Sequence, residues 1–158
     1  MYGTRRCTID AKVRVTIPSD IRKSLLDADK RVVLVPFKDE CLYGFTPAKF
    51  EEWVEGIFAS NGRSYDDRKP ADRKLMRRLR GSAVELTLDA AGRLALGKLD
   101  AVDESLRPGK TPRRILLGLE HDVMVVGNGD RFEIWDADRW LADQEEADED
   151  FFALFDVE

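Results

Sequence analysis

The chain has 158 residues, 43% of them hydrophobic, which is enough for one core or two small pseudo-symmetric halves and excludes disorder throughout. No apolar run approaches the roughly 18 residues of a membrane span, and Arg5 and Arg6 precede no apolar signal core, so a cytoplasmic protein without a membrane partner is expected. One histidine (His121) and two cysteines (Cys7, Cys41) leave little for a metal site or a histidine-based triad. No metal, no cofactor, no small-molecule substrate and no enzymatic activity are therefore expected, and both cysteines read as strand thiols in a reducing compartment.

The net charge of −5 is unevenly spread. Residues 1–135 hold 25 Lys+Arg against 21 Asp+Glu, a net of +4, whereas residues 136–158 hold one Arg against 10 acids, a net of −9. The body is mildly basic and the acid is gathered in the tail, so a nucleic-acid partner survives the test that the total alone would fail.

In chain order, residues 2–9 read as a strand that runs into a turn at Asp10. Val13 to Ile17 alternates as a half-buried strand with Arg14 and Thr16 outward, and Pro18 opens a short helix with Ile21, Leu25 and Leu26 on one side. Strands are expected at Arg31 to Val35 and Cys41 to Phe45 around the turn Lys38-Asp39-Glu40, followed by a helix from Pro47 through Phe50, Trp53 and Ile57. Asn61-Gly62-Arg63-Ser64 reads as a loop. A basic helix follows Pro70, with seven bases and one acid over residues 68–80 and a narrow seam of Leu75, Met76 and Leu79. It is either a packed helix with a solvated basic face or a phosphate-contacting surface. Gly81 ends it, and Ala83 to Leu88 is the next strand.

At that point the chain repeats itself. Asp10-Ala11-Lys12-Val13-Arg14 followed by Val15-Thr16-Ile17 is answered 79 positions later by Asp89-Ala90-Ala91-Gly92-Arg93 and Leu94-Ala95-Leu96. The later pair, Val33-Leu34-Val35 with Leu42 to Phe50, is answered by Val123-Met124-Val125 with Phe132 to Trp140 at an offset of 90. The second half thus carries 11 extra residues, assigned to the stretch from Gly97 to Thr111 with Pro108-Gly109 as a turn. Pro112 to Leu117 is the displaced short helix, capped by Gly118. Gly109-Lys110-Thr111 lacks the glycine a phosphate loop needs five residues earlier, where Glu104 stands, and Gly127-Asn128-Gly129-Asp130 is a hairpin turn. From Asp136, as N-cap, a helix carries Trp140, Leu141, Ala147, Phe151, Leu154 and Phe155 on one side and acids on the other, to pack on its own body or on a neighbour.

Two Asp-x-x-x-Arg turns at this spacing, Ile17-Pro18, and the run from Val125 to Asp136 with its Phe132-Glu133-Ile134-Trp135-Asp136 ending make the sequence similar to the MraZ family of bacterial regulators over nearly its whole length. The resemblance implies an α+β, β-rich fold: two tandem βαββ swapped-hairpin units like the AbrB domain, forming an intramolecular pseudo-dimer, with an acidic C-terminal helix. The boundaries expected are a first half over 1–60, a linker with the basic helix over 61–80, a second half over 81–135, and the acidic helix over 136–158. It also implies sequence-specific binding of double-stranded DNA at G-rich direct repeats upstream of the protein's own gene, and control of the division and cell-wall gene cluster. Ring-shaped homo-oligomers and a nucleoid-associated location in the cytoplasm complete the expectation. A protein-interaction or scaffold module on the same fold, without DNA, is the alternative.

The candidate DNA-contacting residues are Arg14, Arg93, Lys12 and Arg5, with Asp10 and Asp89 as orienting residues. Arginine suits the task because its planar fork matches guanine O6 and N7 with two parallel hydrogen bonds. The same residues also read as solvated turn charges. Asp10 either holds Arg14 by its side chain or caps the turn. Val13 stands where the family has glycine, as at Gly92, so either the first turn differs in conformation or it does not depend on glycine.

Overall fold

The computed structural model describes every residue except Asp39, Asn61, Arg63, Val157 and Glu158, so the Lys38–Glu40 and Asn61–Ser64 turns lie partly outside the described residues. Its centre is a six-stranded antiparallel sheet whose order exposes the repeat. The first half supplies β1 (Thr4–Thr8), β3 (Arg31–Phe37) and β4 (Cys41–Phe45), and the second supplies β5 (Val84–Thr87), β7 (Asp122–Asn128) and β8 (Arg131–Asp136). The order is β1-β7-β8-β4-β3-β5, which reads the same from either edge once β1 is matched to β5, β7 to β3 and β8 to β4. Each half lends its first strand to the other: Cys7 lies opposite Val123, and Leu86 opposite Val32. The halves meet where β4 pairs with β8 through Leu42–Ile134, Tyr43–Glu133 and Gly44–Phe132. This is the swapped, pseudo-dimeric α+β arrangement that the resemblance implied.

Both faces of the sheet are covered, which is why the central strands are buried along their length instead of alternating with solvent. On one face lies a second, two-stranded antiparallel sheet made of β2 (Arg14–Thr16) and β6 (Arg93–Ala95). Val15, Ile17, Leu94 and Leu96 from this region pack fully buried against Val32, Leu34, Val123, Val125, Phe132 and Ile134. On the other face α2 (Pro47–Ala59), α3 (Pro70–Gly81) and the start of α6 (Ala137–Ala153) cover Val33, Val35, Tyr43, Phe45, Met124 and Trp135. The N-caps follow the sequence: Thr46 accepts from the Lys49 N–H and Asp136 from the Arg139 N–H.

One expectation needs correction, and two that the sequence left open gain detail. First, Val33 does not match Val123: Val32 and Val123 share the ribbon-side core, while Val33 faces α2. The hairpin between β3 and β4 spans three residues, 38–40, and that between β7 and β8 only Gly129 and Asp130, so equivalence slips by one between the strands. In a strand one residue is a change of face. Second, the extra residues form a helix, α4 (Gly97–Leu106), before the Pro108-Gly109 turn. Its buried Leu99 enters the ribbon-side core, and Asp100 and Asp103 grip Arg114 and Arg113 of α5 (Arg113–Leu116) at 2.8 Å each. That short helix does correspond to α1 (Ser19–Lys23). Pro18 and Pro112 cap both with matching dihedral angles, and Leu25 and Leu119 are each wholly buried behind them. Gly118, at φ +75°, closes α5 in a Schellman arrangement: its N–H donates to the Ile115 carbonyl and that of Leu119 to the Arg114 carbonyl. Third, α6 is covered only at its beginning. Ala137 is buried and Trp140 half-buried, but every described residue beyond Asp143 is exposed, Leu154 to 78%. No helix among the described residues is long and apolar enough to cross a membrane.

Candidate nucleic-acid interface

The Asp-x-x-x-Arg spacing is explained by one carboxylate reaching three donors. Asp10 Oδ1 accepts the backbone N–H of Lys12 and of Arg14, both at 2.9 Å, and Oδ2 accepts Arg14 Nε–H at 2.9 Å. Asp89 repeats the set with Ala91 N, Arg93 N and Arg93 Nε at 2.9, 2.9 and 2.8 Å. The aspartate therefore does both things the sequence left open: it closes the turn and it orients the arginine. Closing the turn forces the residue before the arginine into the left-handed region. Gly92 takes φ +78° without penalty and Val13 takes φ +59° against its β-branched preference. The two turns share one conformation, and the first does not depend on glycine.

Because each guanidinium is held through Nε, its two terminal nitrogens point on without a partner among the described residues. They also share a surface. In the β2–β6 ribbon Arg14 lies opposite Ala95, Val15 opposite Leu94, and Thr16 opposite Arg93. Val15 and Leu94 point into the core, so Arg14, Thr16, Arg93 and Ala95 form the outer face. The two arginines are diagonal neighbours there, one towards each end of the ribbon. Neither pair is sealed from solvent: the arginine side chains retain 25% and 33% exposure.

The electrostatics favour charged carboxylates. Partial desolvation acts to raise the Asp10 carboxyl, but the Arg14 backbone N–H, its guanidinium and the Lys12 N–H outweigh it, leaving Asp10 below the usual carboxylate range. At Asp89 the backbone N–H of Arg93 is the largest influence and, with the Arg93 guanidinium, also holds the carboxyl low.

The other sequence candidates sit around this ribbon unequally. Lys12 is exposed at the tip of the first turn, and Arg5 is exposed on the edge strand β1. Arg5 lines a groove of about 420 Å³ that it shares with Thr8, Thr16, Pro18 and Ser19. Neither has an ion-pair partner among the described residues. At the equivalent positions, 79 residues on, stand Ala91 and Val84, so the cationic supplement belongs to one copy only. The basic helix α3 lies elsewhere. Its Met76 packs on the α2 side of the sheet, opposite the ribbon, so it adds nothing to the ribbon's surface. Leu75 is not part of its seam and is half exposed.

Sequence reasoning missed Arg22. Its Nη1 donates to the Ala91 carbonyl at 3.1 Å, and its side chain fills the space that a Cβ on Gly92 would need. It braces the second turn from α1 across 69 residues of chain, a separation that no local pattern reports.

Fold and turns together define a double swapped-hairpin protein, with one oriented arginine per half on a shared two-stranded ribbon. Residues 1–74 match the family model described as "MraZ protein, putative antitoxin-like". The chain is 34% identical over 148 residues to the transcriptional regulator MraZ of Ralstonia pickettii (strain 12J), covering 92% of this chain and 88% of that protein. The MraZ regulator of Ligilactobacillus salivarius (strain UCC118) is 34% identical over 149 residues, covering 94% and 90%. That of Thioalkalivibrio sulfidiphilus (strain HL-EbGR7) is 30% identical over 145, covering 91% and 85%. This chain belongs to the MraZ family.

Proposed function

We propose that this protein is a transcriptional regulator that binds double-stranded DNA sequence-specifically through the outer face of the β2–β6 ribbon, and that it is not an enzyme. One observation carries the reading: Arg14 and Arg93 are each fixed by a carboxylate through Nε, with both terminal nitrogens unoccupied, side by side on one ribbon. A two-stranded ribbon fits the major groove, and a guanidinium ordered in advance loses less entropy on binding. Each bidentate contact with a guanine is worth about 1–3 kcal/mol of discrimination. Lys12 and Arg5 add charge beside the first turn, suited to phosphate contact.

The family relationship supports the finer reading: G-rich direct repeats upstream of its own gene as the target, the division and cell-wall gene cluster as the regulon, and a cytoplasmic, nucleoid-associated homo-oligomeric ring as the working form. Arms linked in a ring would raise effective concentration at neighbouring repeats spaced near one helical turn, about 10 bp. On this reading residues 1–60 and 81–135 are the two AbrB-like halves, 61–80 the connection, and 136–158 an appendage. The exposed acidic α6 favours a second reading, a protein-interaction scaffold without DNA.

The test is a gel shift at a stated salt concentration with the protein's own upstream region. Arg14→Ala and Arg93→Ala should each weaken binding about 5- to 150-fold and flatten discrimination against mutated repeats. Unchanged affinity in both variants would remove the ribbon as the reading surface. No shift by the wild-type protein would favour the scaffold.

A further inference from the structure

The chain carries two complementary surfaces that it leaves open. One is the distal part of α6. Residues 143–150 hold six acids and no base, and beyond them Phe151, Phe152, Leu154 and Phe155 are all more than half exposed. The rings of Phe151 and Phe155 lie 5.4 Å apart, forming one aromatic knob at i and i+4. From Leu141 to Ala153 the helix runs about 20 Å at 1.5 Å per residue. An acidic, aromatic helix gains nothing from standing in water, because a helix of this length draws its stability from burying its apolar side.

The other surface is a groove of about 740 Å³ between α2, α3, α4 and α5. Its walls include the half-buried Trp53, Ile57 and Leu79, and its rim carries Arg77, Arg78 and Arg107. Those three arginines are exposed and have no ion-pair partner among the described residues, unlike Arg80, which binds Glu51, and Arg113, which binds Asp103. An apolar floor with a cationic rim is what an acidic helix ending in aromatics would fill.

We propose that the distal α6 helix of one copy docks in this groove of a second copy, with Phe151 and Phe155 on its apolar wall and the 143–150 acids against Arg77, Arg78 and Arg107. The occupant is a second copy because charge and apolar character match between two surfaces of the same chain, and α6 stands clear of the groove on its own body. The helix begins at the groove's margin, where Arg139 Nη1 donates to the carbonyl of Leu116, a lining residue. Contact between two different patches is head-to-tail, and it closes into a ring or runs on as a filament according to the rotation per step. This inference rests on the homo-oligomer in the proposed function but not on DNA, since none of the residues lining the groove belongs to the β2–β6 ribbon or its two Asp-x-x-x-Arg turns.

The experiment measures mass by light scattering across a concentration series, with the full chain throughout. Phe151→Ala/Phe155→Ala and Arg77→Glu/Arg78→Glu should each raise the concentration needed for half-assembly about thirtyfold, the loss expected on removing a central anchor. Adding Glu145→Lys/Glu149→Lys to the groove variant should restore assembly, which a merely misfolded variant cannot do. Circular dichroism checks the fold of each variant, and gel shift with a single repeat should stay at the wild-type value because no arm is touched. Wild-type mass in both variants would overturn the proposal while leaving the ring reading intact. Loss in the tail variant alone, or failure of the charge swap to restore assembly, would overturn the groove as its seat. A wild-type protein that is monomeric at every concentration would overturn this contact and the ring together, with single-repeat binding still reporting on the DNA reading.

Discussion

Val13 and Gly92 occupy one conformation with opposite chemistry, and exchanging their residues should give unequal results. Replacing Val13 by glycine releases left-handed strain of about 1–3 kcal/mol. Against this stand the extra unfolded-state entropy of glycine, about 0.5–1 kcal/mol, and the loss of a half-buried side chain that packs on the ribbon-side core, about 1 kcal/mol. The terms nearly cancel, so Val13→Gly should change stability by less than about 1 kcal/mol. Gly92→Val reverses the first two terms and adds a collision. The new Cβ would occupy the place of the Arg22 side chain and break its bond to the Ala91 carbonyl, a further loss of about 0.5–1.5 kcal/mol. A net loss of about 0.5–4 kcal/mol is expected, or a melting temperature lower by about 2–4 °C for each kcal/mol in a chain of this size. Urea unfolding at fixed protein concentration, followed by circular dichroism, measures both. If Val13→Gly loses as much as Gly92→Val, strain at position 13 is negligible and the reasoning fails.

Three further outcomes rest on other parts of the fold. Asp10 and Asp89 titrate lower when folded than unfolded, so their contribution is present above the unfolded value near 3.9 and disappears as pH falls through the lower folded values; Asp10→Asn/Asp89→Asn should flatten the decline of the urea midpoint below about pH 4, and an unaltered slope would contradict the assignment. Burial and the Glu133 carboxylate push the Cys41 thiol far up, and burial raises Cys7 less completely; a thiol reagent at pH 8 should modify Cys7 in the native protein and Cys41 only after unfolding, as mass spectrometry of quenched samples would show. Gly44→Ala would drive a methyl group into the Phe132 ring across the β4–β8 seam; a loss of about 1–3 kcal/mol should appear as a lower melting temperature.

The signature was legible because it is local. One carboxylate must find N–H groups two and four residues on, and that fixes the spacing whatever the rest of the fold does. Helix starts at Pro47 and Asp136 were legible for the same reason. What escaped depends on distance in the chain. The pairing of β1 with β7 joins residues more than 110 positions apart, and only the implied strand exchange anticipates it. The face assignment of Val33 turned on one residue in a hairpin, which an offset between apolar runs cannot resolve. The sequence assigns the stretch from Gly97 no element but the Pro108-Gly109 turn, because Leu99, Asp100 and Asp103 fall on the inward side of a helix whose partners, Arg113 and Arg114, come later. Amphipathic spacing in α6 was real but said nothing of whether its apolar side is covered.

The exchange of strands matters for the arginines because it removes their independence. The carbonyl of Val13 accepts the N–H of Gly97, and the carbonyl of Gly92 accepts the N–H of Ile17, so each left-handed turn is tied to the opposite half at the residue that makes it a turn. The buried Val15–Leu94 pair pins the ribbon between them. Moving one turn therefore requires breaking bonds to the other, and the two guanidinium groups behave as one rigid fork. On the proposed reading, a rigid fork registers both contacts or neither, so loss of Arg14 should also weaken discrimination at the base facing Arg93. Two flexible arms would lose discrimination one position at a time, and a mutant cycle over Arg14, Arg93 and their two base positions separates the cases through its coupling energy.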